Sequence, residues 1–417
     1  MKILLLGSGA REHALARALV NAPETTELVV APGNPGTAMI ATNFAIDPTS
    51  PVEAVELATQ MGADLVVVGP EAPLVAGVAD AVRQAGVPVF GPGAAAARLE
   101  GSKAFAKEVM AAAGVPTATA AVCTTPEELS AALDRFGAPY VVKDDGLAAG
   151  KGVVVTSERD AALAHGRSCL ARQGGRVLVE EYLDGPEVSL FCVCDGATVR
   201  PLAPAQDYKR VGDGDVGPNT GGMGSYSPLT WAPADLAEQV VREVAQPVVD
   251  EMARRGTSFT GLLYCGLALT GKGLRVVEFN VRFGDPETQV VLARLTSSLA
   301  QLLHAAATGR LAEVPAPTWR PEAAVDVVLA APGYPGAVTT GGLLTGLDAA
   351  EEVEGVHVLH AGTGFSDDGE LVATGGRVLS VVALGDDVQA ARERAYQAVG
   401  RLGLPGSHYR TDIAAGR

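Results

Sequence analysis

The chain has 417 residues, 47% hydrophobic and 19% charged, enough for several cores and two to four domains. Its formal net charge of −16 repels duplex nucleic acid and anionic membranes on average, so an anionic substrate must meet local cations and backbone N–H groups. The 50 Gly and 26 Pro are spread along the chain as turn signals rather than gathered in a disordered tract.

The N-terminal run "MKILLLG" is too short for a signal peptide, and no stretch approaches the roughly 18 apolar residues of a membrane span. A soluble, cytoplasmic, stand-alone protein is expected. Strand and helix signals then alternate: "KILLL", "REHALARALVNA", "ELVVAPGNPG", "ADLVVVGPEAPL", "VAGVADAVRQAG", "VPVFGPG". Such alternation predicts a parallel sheet wrapped by helices, with ligands at the carboxyl ends of the strands. Those ends carry Gly7 to Gly9, Gly33 to Gly36, and Gly69 to Pro70.

A second region opens with the helix "LEGSKAFAKEVMAAAG". It continues through "VPTATAAVC", "PEELSAALDRFG", "VVKDDGLAAGKGVVV" and "ERDAALAHGRSCLA". "RVLVEEYLDGPEVSLFCVC" reads as two strands about a turn. Residues 203 to 230 read as a long irregular segment, which in a compact chain is usually functional. A helix is expected near 233 to 255, then paired strands in "GLLYCGLALT" and "GLRVVEFNVRFGDPET". Pro315, Pro317 and Pro321 mark a linker at 312 to 322. The expected units are 1–101, 102–311 with a small lid part at about 116–187, and 323–417, which ends in the helix "DVQAARERAYQAVG".

The five cysteines form no CxxC pair and read as buried thiols, and the six histidines form no ligand pattern. "GSGARE" fails as a dinucleotide fingerprint. Glu12 stands where a third small residue is needed, and the second strand lacks a terminal acid. Anion binding at a helix N-terminus, helped by Arg11, is the surviving reading. "GLAAGKG" fails as a P-loop, because its spacing is short and Gly152, not Ser or Thr, follows Lys151. It reads as a hairpin whose small side chains let backbone N–H groups approach phosphate, with Lys143 and Lys151 supplying charge.

"VVEFNVRFGDPETQ" is the most specific stretch. Glu278 and Asn280 lie two apart on a strand and so share a face, with hard oxygens suited to Mg²⁺. Arg282 continues that face with a charge suited to a phosphoryl group. In "QDYKRVGDGDVGPNTGGMGSYSP", Asp207, Lys209 and Arg210 precede a glycine run able to close over a small substrate. Glu180, Glu181 and Glu187 flank a connector that can read an adenine edge and ribose hydroxyls.

With "GSGAREHA", "APGNPGT", "VGPEAPL", "LEGSKAF", "DGLAAGKGV", "EEYLDGPE", "EFNVRFGDPETQ", "HAGT" and "GGRVLSV" in this order, the chain resembles the phosphoribosylamine–glycine ligases of the ATP-grasp superfamily. The resemblance covers nearly the whole length. It implies α/β and α+β domains: a Rossmann-like N-terminal domain, a two-part ATP-grasp fold and a small C-terminal domain. It implies ATP-dependent joining of glycine to 5-phosphoribosylamine, with Mg²⁺ or Mn²⁺, in a monomer.

By the family's pattern, Lys103, Lys143, Gly150 and Lys151 would hold the ATP phosphates. Glu180, Glu181, Tyr182 and Leu183 would line the adenine, and Glu187 the ribose. Glu278 and Asn280 would hold the metal. Arg282, Lys151, Asp207 and Lys209 would serve the chemistry. Gly9, Arg11, Glu12, Asn34, Gly36, Pro70 and Glu71 would sit at the phosphoribosylamine side. Asn219, Thr220, Gly221, Gly222, Met223, Asp285 and Glu287 would complete the substrate side. Asp144 departs from the family's usual small residue and is expected to face solvent, opposite Lys143. Another ATP-grasp ligase or carboxylase, and a non-catalytic nucleotide-binding module, are the alternative readings.

Overall fold

A computed structural model describes residues 1–146 and 152–416. The first hundred residues form a parallel sheet in the order Thr42–Asn43, Glu27–Pro32, Lys2–Gly7, Leu65–Val68, Val89–Phe90. Its central strands are apolar throughout because helices cover both faces. Strand order reverses at Lys2–Gly7, so the crevice between Lys2–Gly7 and Leu65–Val68 is where such sheets bind ligands.

Two antiparallel four-stranded sheets follow. The first runs Ala120–Cys123, Val177–Glu180, Tyr140–Asp144, Val153–Thr156. The second runs Val199–Pro201, Glu187–Asp195, Thr260–Thr270, Gly273–Asn280. The stretch "VLVEEYLDGPEVS" is therefore not a hairpin: its two strands belong to different sheets. Gly185 makes the crossing at φ +111°, so close to the second sheet that a Cβ there would lie 2.2 Å from Leu269 O.

Residues 203 to 230 are not irregular either. They hold four short strands of two to four residues, too brief for periodicity to reveal. Gly224–Ser227 enters the last sheet, whose order is Gln206–Asp207, Gly224–Ser227, Ala323–Ala330, Arg377–Gly385, Val356–His360. The helix expected near 233 to 255 is Leu236–Val240 and Gln246–Arg254 joined through the π turn Val241–Ala245. All five cysteines are buried thiols. No helix among the described residues is long and apolar enough to cross a membrane.

Asp144 does not face solvent. It is buried, and its carboxylate is ion-paired with Arg172. Strand alternation did turn it away from Lys143, but the helix Arg159–Leu170 and the residues after it cover that face of the sheet.

The first and last sheets are joined around two histidines. His13 Nδ1 accepts from His360 N at 3.0 Å, with the ring centroids 5.8 Å apart. Gly36 lies beneath, where a Cβ would come within 2.3 Å of His13. Burial first, then His360 and Arg17, lower the His13 pKa to about 3. The unfolded chain binds a proton there below about pH 6.5 and the folded chain does not, so stability falls as pH drops from 6.5 toward 3. The slope from this residue is at most about 1.4 kcal/mol per pH unit. Denaturant titrations across that window should show a shallower pH slope for His13→Gln than for the parent; equal slopes would contradict the linkage.

Candidate active site

Gly9 opens the helix Ala10–Val20 at the end of the first strand. Glu12 folds back to cap it: Oε2 accepts from Gly9 N at 2.7 Å and Oε1 from Arg11 Nε at 2.6 Å. The Glu12 carboxyl packs against Gly7 and Gly69. It thus fills the crevice from within, which corrects its expected role as a substrate ligand. Asn34 is corrected likewise. Its Oδ1 caps Thr37 N, and Nδ2 donates to Ser8 O and His360 O, both at 2.8 Å. Both donors are spent on holding the first and last sheets together.

Arg11 reaches the other side of the crevice, donating to Phe283 O at 3.1 Å. Pro70 precedes the short helix Glu71–Val75, and Glu71 Oε2 accepts from Arg282 Nε at 3.1 Å. Arg282 NH2 meets Glu100 at 3.3 Å, and Glu100 Oε2 accepts from Val281 N at 2.8 Å. Arg282 therefore stands between two carboxylates. Desolvation opposes its charge, but Glu100 and Glu71 outweigh that and raise its pKa. For Glu71 desolvation is likewise outweighed, by Arg282 and Arg11, and the pKa falls. Glu100 was not anticipated from the sequence.

The strand Gly273–Asn280 carries a bulge. Val276 pairs with Leu267 and Glu278 with Gly266, leaving Val277 unmatched. Leu274 and Val276 lie in the core before it, Phe279 and Val281 after it. The bulge thus turns Glu278 and Asn280 off the core face. Both are half-buried, and neither side chain makes a hydrogen bond or ion pair among the described residues. Lys143 Nζ donates to the unmatched Val277 O at 3.1 Å and pairs with Glu180 at 2.9 Å. Burial depresses the Lys143 pKa, but Glu180 and then Glu278 raise it by more.

Glu180 does not offer its carboxylate to an adenine edge. It is buried and shared between Lys107, at 3.1 Å, and Lys143. Lys103 donates to Gly146 O at 3.0 Å. Gly150 and Lys151 lie outside the described residues. Beside Glu181, Tyr182, Leu183 and Asp184, a cleft of ≈ 470 Å³ opens between the two antiparallel sheets' connections, walled by Thr117, Thr270, Lys272 and Arg275.

On the substrate side, Lys209 bridges Glu187 and Asp207; the Asp207 contact is 3.8 Å. Burial raises the Asp207 pKa to about 7, against the pull of Lys209 and with Glu287 and Glu187 adding to it. Glu287 Oε1 accepts from Tyr264 OH at 2.8 Å and Ser189 Oγ at 3.0 Å. Asn219 Nδ2 approaches Val153 O at 3.5 Å, beside the undescribed loop. Thr220 Oγ1 accepts from Gly222 N at 2.9 Å and donates to Lys209 O, and Met223 N donates to Tyr208 O at 2.8 Å. Arg377, from the last sheet, was missed in the sequence. Its NH1 donates to Gly221 O at 2.6 Å and Asp285 O at 2.9 Å, while NH2 pairs with Asp285 at 3.0 Å. It clasps the 221–222 loop to Asp285, whose carboxylate lies near Gly9.

Two antiparallel sheets with a lysine from one bonded to a bulge in the other, beside a parallel sheet with an anion-binding crevice, define an ATP-grasp enzyme. The chain matches the family models described as Phosphoribosylglycinamide synthetase: the N domain over residues 1–100, the ATP-grasp (A) domain over 101–288 and the C domain over 324–416. It is 63% identical over 417 residues to a phosphoribosylamine–glycine ligase of Streptomyces coelicolor, covering 100% of this chain and 99% of that one. It is 59% identical to one of Mycobacterium tuberculosis, covering 99% and 97%. A crystal structure of phosphoribosylamine–glycine ligase from Thermotoga maritima matches with a TM-score of 0.86 at 34% identity, covering 99% and 100%. A biotin carboxylase from Campylobacter jejuni shares the fold at a TM-score of 0.72 and 13% identity, covering 99% and 94%. The chain belongs to the phosphoribosylglycinamide synthetase family.

Replacing Arg377 with Ala strands Asp285 and releases the Gly221 carbonyl. The expected cost is roughly 1–3 kcal/mol of stability. Hydrogen exchange should quicken at the amides of 221–223; unchanged protection there would show that the clasp does not order the loop.

Proposed function

We infer that this chain is an ATP-dependent carbon–nitrogen ligase joining glycine to 5-phospho-D-ribosylamine, the second step of de novo purine synthesis. The products are glycinamide ribonucleotide, ADP and phosphate. The observation that carries the reading is the bulge-aimed pair Glu278 and Asn280, with Lys143 bonded to the bulge beside them.

The donor set fits a hard divalent cation. One carboxylate and one amide oxygen, neither engaged elsewhere among the described residues, leave other positions for phosphate oxygens and water. No cluster of three or more His, Cys, Asp or Glu that could form an all-protein cage occurs among the described residues. Mg²⁺ or Mn²⁺ held there would bridge phosphate oxygens and neutralise charge on the transferring group.

The protein's own residues then position and neutralise. Lys103 and Lys143, with Gly150 and Lys151 from the motif, hold the nucleotide phosphates. The connector 181–183 takes the adenine and Glu187 the ribose. A glycine carboxylate oxygen attacks the γ-phosphorus, the bond to ADP breaks, and glycyl phosphate forms. The sugar amine attacks the acyl carbon, the amide bond forms, and phosphate leaves. The amine sheds one proton, and Asp207, ionising near pH 7 beside Lys209, is placed to take it. Arg282 faces the phosphoryl group as part of its ladder with Glu71 and Glu100. Gly9, Arg11, Gly36, Pro70 and Glu71 border the sugar phosphate. The Asn219–Met223 loop, Asp285 and Glu287 close the other side. Units of 1–101, 102–311 and 323–417 with a connector at 312–322, acting as a monomer in the cytoplasm, complete the reading.

ADP release should require glycine and phosphoribosylamine together. Release with glycine alone at the full rate would point to a different ligase. Glu278→Ala should lower turnover on the order of a hundredfold while leaving the thermal midpoint near that of the parent.

A further inference from the structure

The helix Lys103–Ala113 carries a second lysine one turn after Lys103, on the same face. Lys107 is deeply placed, and its ammonium has three partners. It donates to Ala118 O at 2.8 Å and Thr117 Oγ1 at 2.9 Å, and pairs with Glu180 Oε1 at 3.1 Å. An ammonium has three N–H donors, so Lys107 has none left for a ligand. Lys143 takes the other Glu180 oxygen and Val277 O, which leaves it one N–H.

The charges are unequal. Two ammonium groups face one buried carboxylate. Without Lys107, Glu180 and Lys143 would form a closed neutral pair, and a neutral pair attracts phosphate weakly. We propose that Lys107 is a positioning residue for nucleotide binding: it neutralises Glu180 from behind, so that Lys143 keeps its full positive charge and its last N–H for a phosphate oxygen. This rests on the assignment of Lys143 to the nucleotide phosphates. The bland alternative is that Lys107 merely braces the helix against 117–118.

Calorimetry of the full chain with ADP, tripolyphosphate and adenosine separates the two. Lys107→Met should weaken ADP and tripolyphosphate about tenfold and leave adenosine, which carries no charge, within twofold. Lys107→Arg should keep the parent affinities. Lys107→Met/Glu180→Gln removes one charge of each sign, restores the net positive charge, and should recover most of the tripolyphosphate affinity. A bracing role predicts no recovery in the double variant and equal losses for adenosine and ADP; either result overturns the proposal. Should Lys107→Met not fold, the double variant and Lys107→Arg still decide it: loss of tripolyphosphate affinity in both would overturn it. Lys143→Met is the control. If it leaves ADP binding unchanged, the nucleotide-site assignment itself fails; if it weakens ADP while Lys107→Met does not, only the role of Lys107 fails.

Discussion

Val277 has no partner on the neighbouring strand, and its carbonyl is taken by Lys143 from the other sheet at 3.1 Å. An unpaired buried carbonyl is costly, and so is a buried ammonium without acceptors. Each group here satisfies the other. The same extra residue shifts strand parity, so Phe279 and Val281 take the core positions while Glu278 and Asn280 turn to the gap. The grip between the sheets and the aim of the metal-binding pair thus have one origin.

Around that point the chain arranges charge in alternation. Arg11, Glu71, Arg282 and Glu100 form one ladder, and Lys107, Glu180 and Lys143 another. Asp207, Lys209 and Glu187 form a third. A protein of net charge −16 handles anionic substrates this way because each buried cation is held by acids that also fix its position. Acids that looked like ligands in the sequence, such as Glu12 and Glu180, are the holders.

What was legible in the sequence was what repeats locally. Strand–helix alternation gave the parallel sheet, and the spacing of two gave Glu278 and Asn280 a common face. Which face they take depends on the bulge, and that depends on a partner strand. Lys143 and Val277 are 134 residues apart, and Asn34 and His360 are 326 apart. No local period carries such pairings, so the roles of Asn34, His13, Arg377 and Lys107 were hidden. The short strands between 206 and 227 were hidden for a related reason: their pairing comes from distant neighbours, against a composition of Gly, Asp and Pro that local propensity reads as loop.

Gly224–Ser227 is zipped between Gln206–Asp207 and Ala323–Ala330, so the middle and the end of the chain share one sheet. The proline-rich stretch at 312–321 looks like a seam, yet severing the chain there would strip one side of that strand. The amputated piece would carry a raw β-edge, an invitation for another copy to stitch on. The three regions are consequently inherited and engineered as a single body, not shuffled as modules.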